Sequence, residues 1–209
     1  MGLKTSSVLV AATALLLAGL LLTPITAFAC ACCSEPGHYH SGTVDFDDYP
    51  LSQLKRMRFT RTASLVVTDA GIEEHSSGID QPKMNYSLQG TLVANVLRLT
   101  FRSGANTGVL ELPLPNKMWS HSADIHDGKL SAGGGPLLYK EWRLEGEIKG
   151  NGFFKSGMAA PAKYVLVLQG RGNGCDNAED FGNWRLQVHG EKADYAFYGK
   201  LARPIPPKE

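Results

Sequence analysis

Residues 141–149 read EWRLEGEIK and decide the fold more clearly than any other stretch of the chain. The even positions carry Trp, Leu, Gly and Ile, whereas the odd positions carry Glu, Arg, Glu, Glu and Lys. Successive side chains of a β-strand point to opposite faces of a sheet, so this alternation places one face in a core and the other in water. The stretch is therefore predicted to be a half-buried strand of an antiparallel sheet.

The same two-residue period recurs on both sides of that stretch. It is clear in residues 183–189 and 194–201, and shorter candidates are residues 62–69 and 107–112. Residues 163–169 are more continuously apolar, as expected for a central strand. Pieces rich in Gly, Asn and Ser separate these segments and indicate turns. The pattern predicts an all-β fold, a single antiparallel sandwich or barrel of about eight strands.

A change of parity marks an interruption in the strand pattern between residues 86 and 101. Apolar residues occupy even positions from residue 86 to 92 and odd positions from residue 97 to 101. A continuous strand cannot exchange its faces without an extra residue. We therefore expect a bulge or a break near Ala94 and Asn95.

The remaining segments complete the predicted organisation of the chain. Residues 50–58 carry Leu51, Leu54 and Met57 at helical spacing, so one short helix is predicted. The chain divides into a signal peptide (1–29), a Cys/His-rich N-terminal leader (30–50), a β domain (51–202) and an extended Pro-rich tail (203–209).

The first 29 residues have the pattern of a secretory signal peptide. Lys4 precedes an apolar run over residues 8–22, and Ala27 and Ala29 provide the small residues at positions −3 and −1 of a cleavage site. The run is shorter than the roughly 20 residues that span a bilayer as a helix. We therefore expect an exported protein, either periplasmic or extracellular.

Cleavage after Ala29 would make Cys30 the first mature residue. Lipidation of Cys30, with a membrane tether, is an alternative to a plain cleaved signal. A bacterial lipoprotein signal has a small residue at position −2, whereas bulky Phe28 stands there in this chain. Lipidation is therefore the less favoured of the two alternatives.

The charge of the chain bears on the class of its partner. The sequence has 21 basic and 20 acidic residues, and one of the basic residues lies in the predicted signal peptide. A balanced chain argues against nucleic acid, which is recognised through an excess of positive charge. The expected partner is therefore an unknown protein or a small ligand.

Three cysteines and two histidines lie close together in the leader: Cys30, Cys32, Cys33, His38 and His40. Thiolate and imidazole groups are the ligands that copper and zinc prefer. Because all five residues lie within one short segment, they can close around one ion with little loss of chain entropy. The first hypothesis is therefore an exported protein that binds copper or zinc through this cluster.

The same cysteines also suit disulfides, which form in the oxidising compartments that exported proteins reach. Cys175 is the only cysteine outside the leader, so it can only bridge back to it. Bonds between Cys32 and Cys33, or between Cys30 and Cys32, would be tight. Cys32–Cys175 with Cys30–Cys33 is therefore the easiest arrangement. The alternative function is a non-catalytic structural or interaction module with its leader stapled to the β domain.

Two further polar segments are candidate sites. Residues 121–127 hold two histidines and two aspartates and are the one candidate for acid–base chemistry, although a polar loop is favoured. Residues 170–180 offer oxygen ligands for calcium, although a turn-rich loop tethered by Cys175 is favoured. Motifs for a serine nucleophile or a phosphate loop are absent, so no catalytic residue is predicted.

The three tryptophans are candidates for the lining of a ligand pocket. The strand alternation places Trp142 and Trp184 on inward faces, which explains both as core residues. A pocket role is therefore not favoured for the tryptophans.

Overall fold

Twelve strands and one α-helix form in the described part of the chain. The structure is a computed structural model and describes residues 32–67, 76–126, 129 and 134–207. The helix α1 spans Asp48–Arg56. The strands are β1 (Tyr39–Asp45), β2 (Arg58–Phe59), β3 (Thr62–Leu65), β4 (Asn85–Val93), β5 (Val96–Ser103), β6 (Asn106–Pro113), β7 (Lys117–Asp124), β8 (Leu138–Glu147), β9 (Lys149–Gly152), β10 (Ala162–Gly172), β11 (Phe181–Gly190) and β12 (Ala193–Ala202).

All the strand pairs are antiparallel, which confirms the predicted all-β fold class with one short helix. The strand order is β1-β7-β8-β10-β11-β12-β3-β4-β5-β6-β9, with β2 paired to β12 beside this path. Among the strands that the structure describes, β1 and β9 are not paired with each other, so the sheet is not closed into a barrel. The count exceeds the expected eight because short or polar segments, among them β1, β2 and β9, also join the ladder.

One face of the sheet encloses the core. The ring centroids of Phe101 in β5 and Phe197 in β12 lie 4.6 Å apart, although two strands separate these elements in the sheet order. The Tyr164 hydroxyl of β10 donates a hydrogen bond to the carbonyl of Pro113 in β6 at 2.5 Å. Neighbouring strands of a flat sheet are about 4.8 Å apart, so these contacts require the sheet to bend onto itself.

The inward positions of the alternating segments fill that core, as predicted. Trp142 and Trp184 are each 1% exposed. Other fully buried side chains are Leu65, Leu99, Leu110, Leu138, Leu144, Leu166, Leu168 and Leu186. The parity change is also confirmed as a break, because Ala94 and Asn95 form the turn between β4 and β5 with φ of 47° and 61°. A two-residue hairpin turn of this kind needs positive φ at both positions.

The helix and the C-terminal tail pack against each other. Asp47 caps α1 by accepting a hydrogen bond from the Tyr49 N–H at 3.2 Å, which satisfies one of the helix's first amides. At the other end, the Arg56 guanidinium donates to the Ile205 carbonyl at 2.8 Å, and the Ile205 N–H donates to the Arg56 carbonyl at 2.9 Å. Among the described residues, no helix has the length and apolar character needed to cross a membrane.

Candidate functional site

The leader is joined to the β domain by a disulfide between Cys32 and Cys175, the bridge favoured by the sequence analysis. The two cysteines are 143 positions apart in the sequence. Beside the bond, the Gly174 N–H donates to the Cys32 carbonyl at 2.7 Å. The staple therefore combines a covalent link with a backbone hydrogen bond.

Beyond the disulfide, the leader becomes part of the sheet. The Gly37 N–H donates to the Asp124 carboxylate at 2.8 Å, and the Asp124 N–H donates to the His38 carbonyl at 2.8 Å. The His38 Nε2 atom lies 2.9 Å from the Ser122 hydroxyl. Strand β1 then pairs with β7 over its whole length. Residues 39–45 of the predicted leader are thus an edge strand of the β domain.

The pKa of the Asp124 carboxyl is lowered, first by the hydrogen bond from the Gly37 N–H and then by one from the His126 N–H. Hydrogen bonds donated to a carboxylate favour its charged form. The contact between the leader and β7 is therefore strongest when Asp124 is ionised.

The predicted metal ligands are only partly available in this arrangement. The Cys32 sulfur is bonded to Cys175, so it is not a thiolate that can bind a metal, which corrects its role in the predicted cluster. Cys33 and His40 are exposed, and His38 contacts Ser122. Cys30 lies outside the described residues. Within the described ranges, no group of three or more His, Cys, Asp or Glu side chains is placed to hold a metal ion.

Residues 121–124 belong to β7, which corrects the expectation of a polar loop over residues 121–127. Strand alternation sends neighbouring side chains to opposite faces, so the predicted acid–base set is divided. His126 Nδ1 lies 3.3 Å from an Asp124 oxygen, whereas His121 stacks on Trp119 with ring centroids 5.4 Å apart. Asp127 lies outside the described residues.

A buried lysine holds the loop that carries Cys175. Lys140 is 1% exposed, and its Nζ atom lies 2.9 Å from a carboxylate oxygen of Asp176 and 2.9 Å from one of Asp180. It also donates to the Cys175 carbonyl, while the Trp142 indole N–H donates to Asp176 at 3.1 Å. These carboxylates are therefore engaged by a lysine and an indole, which favours the tethered loop over the calcium alternative.

Burial raises the pKa of the Asp180 carboxyl, and the nearby Lys140 ammonium opposes that shift. Desolvation disfavours a buried carboxylate, and a neighbouring cation restores part of the lost free energy. The sequence carries a signal for this network, because Lys140 shares the even, inward parity of Trp142 and Leu144 in β8. That signal was missed.

A second feature missed by the sequence analysis lies on the outer face of the sheet. Trp119, His121 and Tyr139 form a ring cluster there, with the Tyr39 ring 5.5 Å from that of His121. The Tyr139 hydroxyl donates to Glu141 at 2.6 Å. Desolvation, and then this contact, raise the pKa of Tyr139 to about 12, so the hydroxyl remains protonated.

The pairing register extends this cluster across five strands. It aligns one residue from each of β7, β8, β10, β11 and β12, which we name the cross-strand row: Trp119, Arg143, Val167, Arg185 and Tyr198. At about 4.8 Å per strand, the row is about 19 Å long. Tyr198, at one end, is 52% exposed.

Every residue of the row except Tyr198 lines a shallow depression of the surface. Depressions of about 250 Å³ and about 330 Å³ adjoin each other, and Arg143 lines both. The Arg143 guanidinium lies 2.7 Å from Glu145, and the Gln169 amide donates to Glu141 at 3.0 Å. These contacts hold polar groups in fixed positions beside the rings.

Searches against protein-family models, curated proteins and solved structures give no significant match for this chain.

Proposed function

We propose that this protein is an exported, non-catalytic binding module whose outer sheet face binds an extended carbohydrate chain. The observation that carries the proposal is the cross-strand row, which places two arginines between a tryptophan and a tyrosine. Sugar rings present apolar C–H faces that pack on aromatic rings, which combine a large apolar area with a polar edge. Their hydroxyl pairs suit the planar, forked donors of arginine.

The dimensions of the row agree with a chain rather than a single sugar. A row of about 19 Å across five strands offers contacts to several consecutive rings. The depressions on either side of Arg143 are open and shallow, as an extended ligand requires. Binding sites of this kind combine apolar surface with a few fixed polar groups, a role that Glu141 and Gln169 fill here.

The stapled leader has a defined role in this proposal. Strand β1 covers the edge of β7, which carries Trp119, and the disulfide anchors the chain that leads into β1. A structural disulfide is typical of proteins that mature in an oxidising compartment, which supports export. The leader thus supports the binding face from its edge.

Metal binding by the leader is the alternative proposal, with Cys30, Cys33, His38 and His40 as the ligands that remain. The exposure of Cys33 and His40 favours it, because both side chains are accessible to an incoming ion. Alkylation of the unreduced protein counts its thiols by mass. Titration with copper(I) and zinc then tests uptake, and a protein without reactive thiols would contradict the alternative.

Carbohydrate binding is tested by isothermal titration with cellohexaose, chitohexaose, xylohexaose and maltohexaose. We expect at least one hexaose to bind, and Trp119→Ala to weaken it about thirtyfold, the effect of losing an aromatic anchor worth about 2 kcal/mol. Arg185→Ala should also weaken binding, whereas Lys163→Ala, an exposed residue of β10 outside the row, is the matched control. Binding by no hexaose, or binding that Trp119→Ala leaves unchanged, would refute the proposal.

A further inference from the structure

A cavity lies away from the cross-strand row, between β2 and β4. We name it the β2–β4 cleft, and its volume is about 610 Å³. This volume falls within the range of small-molecule sites, about 300–1,000 Å³. The end of α1, strand β5 and Ile205 of the tail complete its walls.

The cleft exists because the sheet is incomplete at this place. Strand β3 pairs with β4 only over residues 62–64, and the ladder ends where the Leu88 N–H donates to the Arg61 carbonyl at 2.9 Å. Beyond that point β2 continues along β12, so β2 and β4 separate. A Cβ atom on Gly90 would lie 2.7 Å from the Phe59 ring, so glycine permits the closest approach of the two walls.

The separated edge of β4 presents backbone groups to the cleft. Because the β4–β5 hairpin has a two-residue turn, Val93 and Val96 form a hydrogen-bonded pair. The alternation then directs the N–H and C=O groups of Gly90 and Leu92 away from β5. No backbone partner for these groups is found among the described residues. They add hydrogen-bonding capacity at the mouth of the cleft.

The floor of the cleft is apolar and reaches the core. It is lined by four buried side chains, Leu54, Met57, Leu88 and Leu97. Phe59 and Leu92, which are partly buried, continue the apolar wall. A ligand that enters the cleft would therefore remove apolar surface from water, which favours binding.

The rim carries positive charge alone. Lys55, Arg58, Arg61 and Arg102 line the opening, all four are exposed, and the lining contains no Asp or Glu. No ion pair of these four side chains occurs in the part of the chain that the structure describes. Four cations at one opening repel one another, and an anionic group bound between them would relieve that repulsion.

We propose that the β2–β4 cleft binds a single-chain amphiphile with an anionic head, its chain on the apolar floor and its head among the rim arginines. Arginine is suited to this task because its planar fork binds carboxylate and phosphate groups in two-point contacts. An added peptide strand fits less well, because strand addition uses a longer ladder than the two residues open here. The site is separate from the cross-strand row and stands whatever that row binds.

The test uses the full chain and a fluorescent probe, undecanoate carrying a dansyl group at its end. We expect the probe to bind, and dodecanoate and dodecyl phosphate to displace it. Dodecyltrimethylammonium, with the same chain and a cationic head, and acetate, with the head alone, should not displace it. Affinity should fall with added salt, because rim charges that are exposed to solvent are screened.

The double variant Arg58→Glu with Arg102→Glu reverses two rim charges, and both residues are exposed, so the fold should be kept. Dodecanoate should bind it about tenfold more weakly than the unchanged protein. Lys149→Glu with Lys192→Glu makes the same change of net charge away from the cleft and should leave the affinity unchanged. Leu92→Trp, which fills the cleft, should also reduce binding.

Three outcomes would overturn the proposal. The first is equal binding of dodecanoate to the rim variant and to its control. The second is displacement of the probe by dodecyltrimethylammonium as effectively as by dodecanoate. The third is that an acidic peptide of alternating Glu and Leu displaces the probe at a lower concentration than dodecanoate does. That result would assign the cleft to a peptide.

Discussion

Replacing Lys140 with Met should remove the cation that holds the Cys175 loop while keeping the apolar stem of the side chain. Lys140 is 1% exposed, and the side chains of its partners Asp180 and Asp176 are 13% and 31% exposed. Removing one partner of a buried ion pair costs about 3–5 kcal/mol, because the other charge is left without compensation. Water reaches Asp176, so we expect the lower end of that range, about 3 kcal/mol.

The assay is urea unfolding with the disulfide intact, followed by tryptophan fluorescence. In a thermal unfolding experiment, the same loss of about 3 kcal/mol in unfolding free energy would lower the melting temperature by roughly 6–12 °C for a domain of this size. Lys163→Met is the control, because Lys163 is exposed on the neighbouring strand and its loss should change stability by less than about 0.5 kcal/mol. A loss below about 1 kcal/mol for Lys140→Met, or equal losses in both variants, would refute the reasoning.

The pH dependence of this loss provides a second test. Burial already raises the pKa of the Asp180 carboxyl, and removing the Lys140 ammonium should raise it further. A carboxyl with a raised pKa in the folded state binds more protons there than in the unfolded state, so its contribution to stability falls as pH rises. The difference in stability between Lys140→Met and the unchanged protein should therefore be smaller at pH 5 than at pH 7.

Two further predictions concern the leader. Cys175→Ala removes a cross-link between residues 143 positions apart. For a closed loop of that length, we expect the free energy of unfolding measured in urea to fall by about 5 kcal/mol. A fall of less than about 1 kcal/mol would contradict a structural role for the disulfide. The pKa of the Asp124 carboxyl is lower in the folded protein than in the unfolded chain, where it is about 4. The stabilisation from the leader contact is therefore complete above about pH 4 and is lost as the pH falls through the pKa of the folded state. The Gly37 and His126 amides should therefore be protected from hydrogen exchange at pH 6 and should lose protection, relative to the amides of β10, at lower pH. Relative protection that does not change with pH would contradict this prediction.

The strands that could be predicted are those whose inward positions are apolar. Strands β8, β11 and β12 alternate because each lies over the core, so their local pattern records their tertiary position. Strand β7 lies next to the edge strand and its inward side includes Ser120, so no apolar alternation marked it. Strand β1 is exposed along most of its length, so its residues show no core-facing period and the local pattern predicts a leader there.

The same limit explains the outcome for the candidate sites. The Cys32–Cys175 bridge could be predicted because four cysteines allow few pairings and chain geometry disfavours the others. The role of Lys140 depended on loop residues more than 30 positions away, and its inward parity was its only local sign. The division of residues 121–127 followed from a strand that the local pattern did not reveal.

The amino-acid sequence by itself determined the all-β fold class, the short helix and the interruption at Ala94 and Asn95, because each depends on a local period. It favoured the covalent staple through the count and spacing of the cysteines. The tertiary structure alone decided the cross-strand row and the β2–β4 cleft. The row assembles residues from strands that are neighbours in the sheet but not all in the chain. The cleft depends on where one ladder ends. Both follow from long-range strand pairing, whose order and register are set by packing over the whole core rather than by any local pattern.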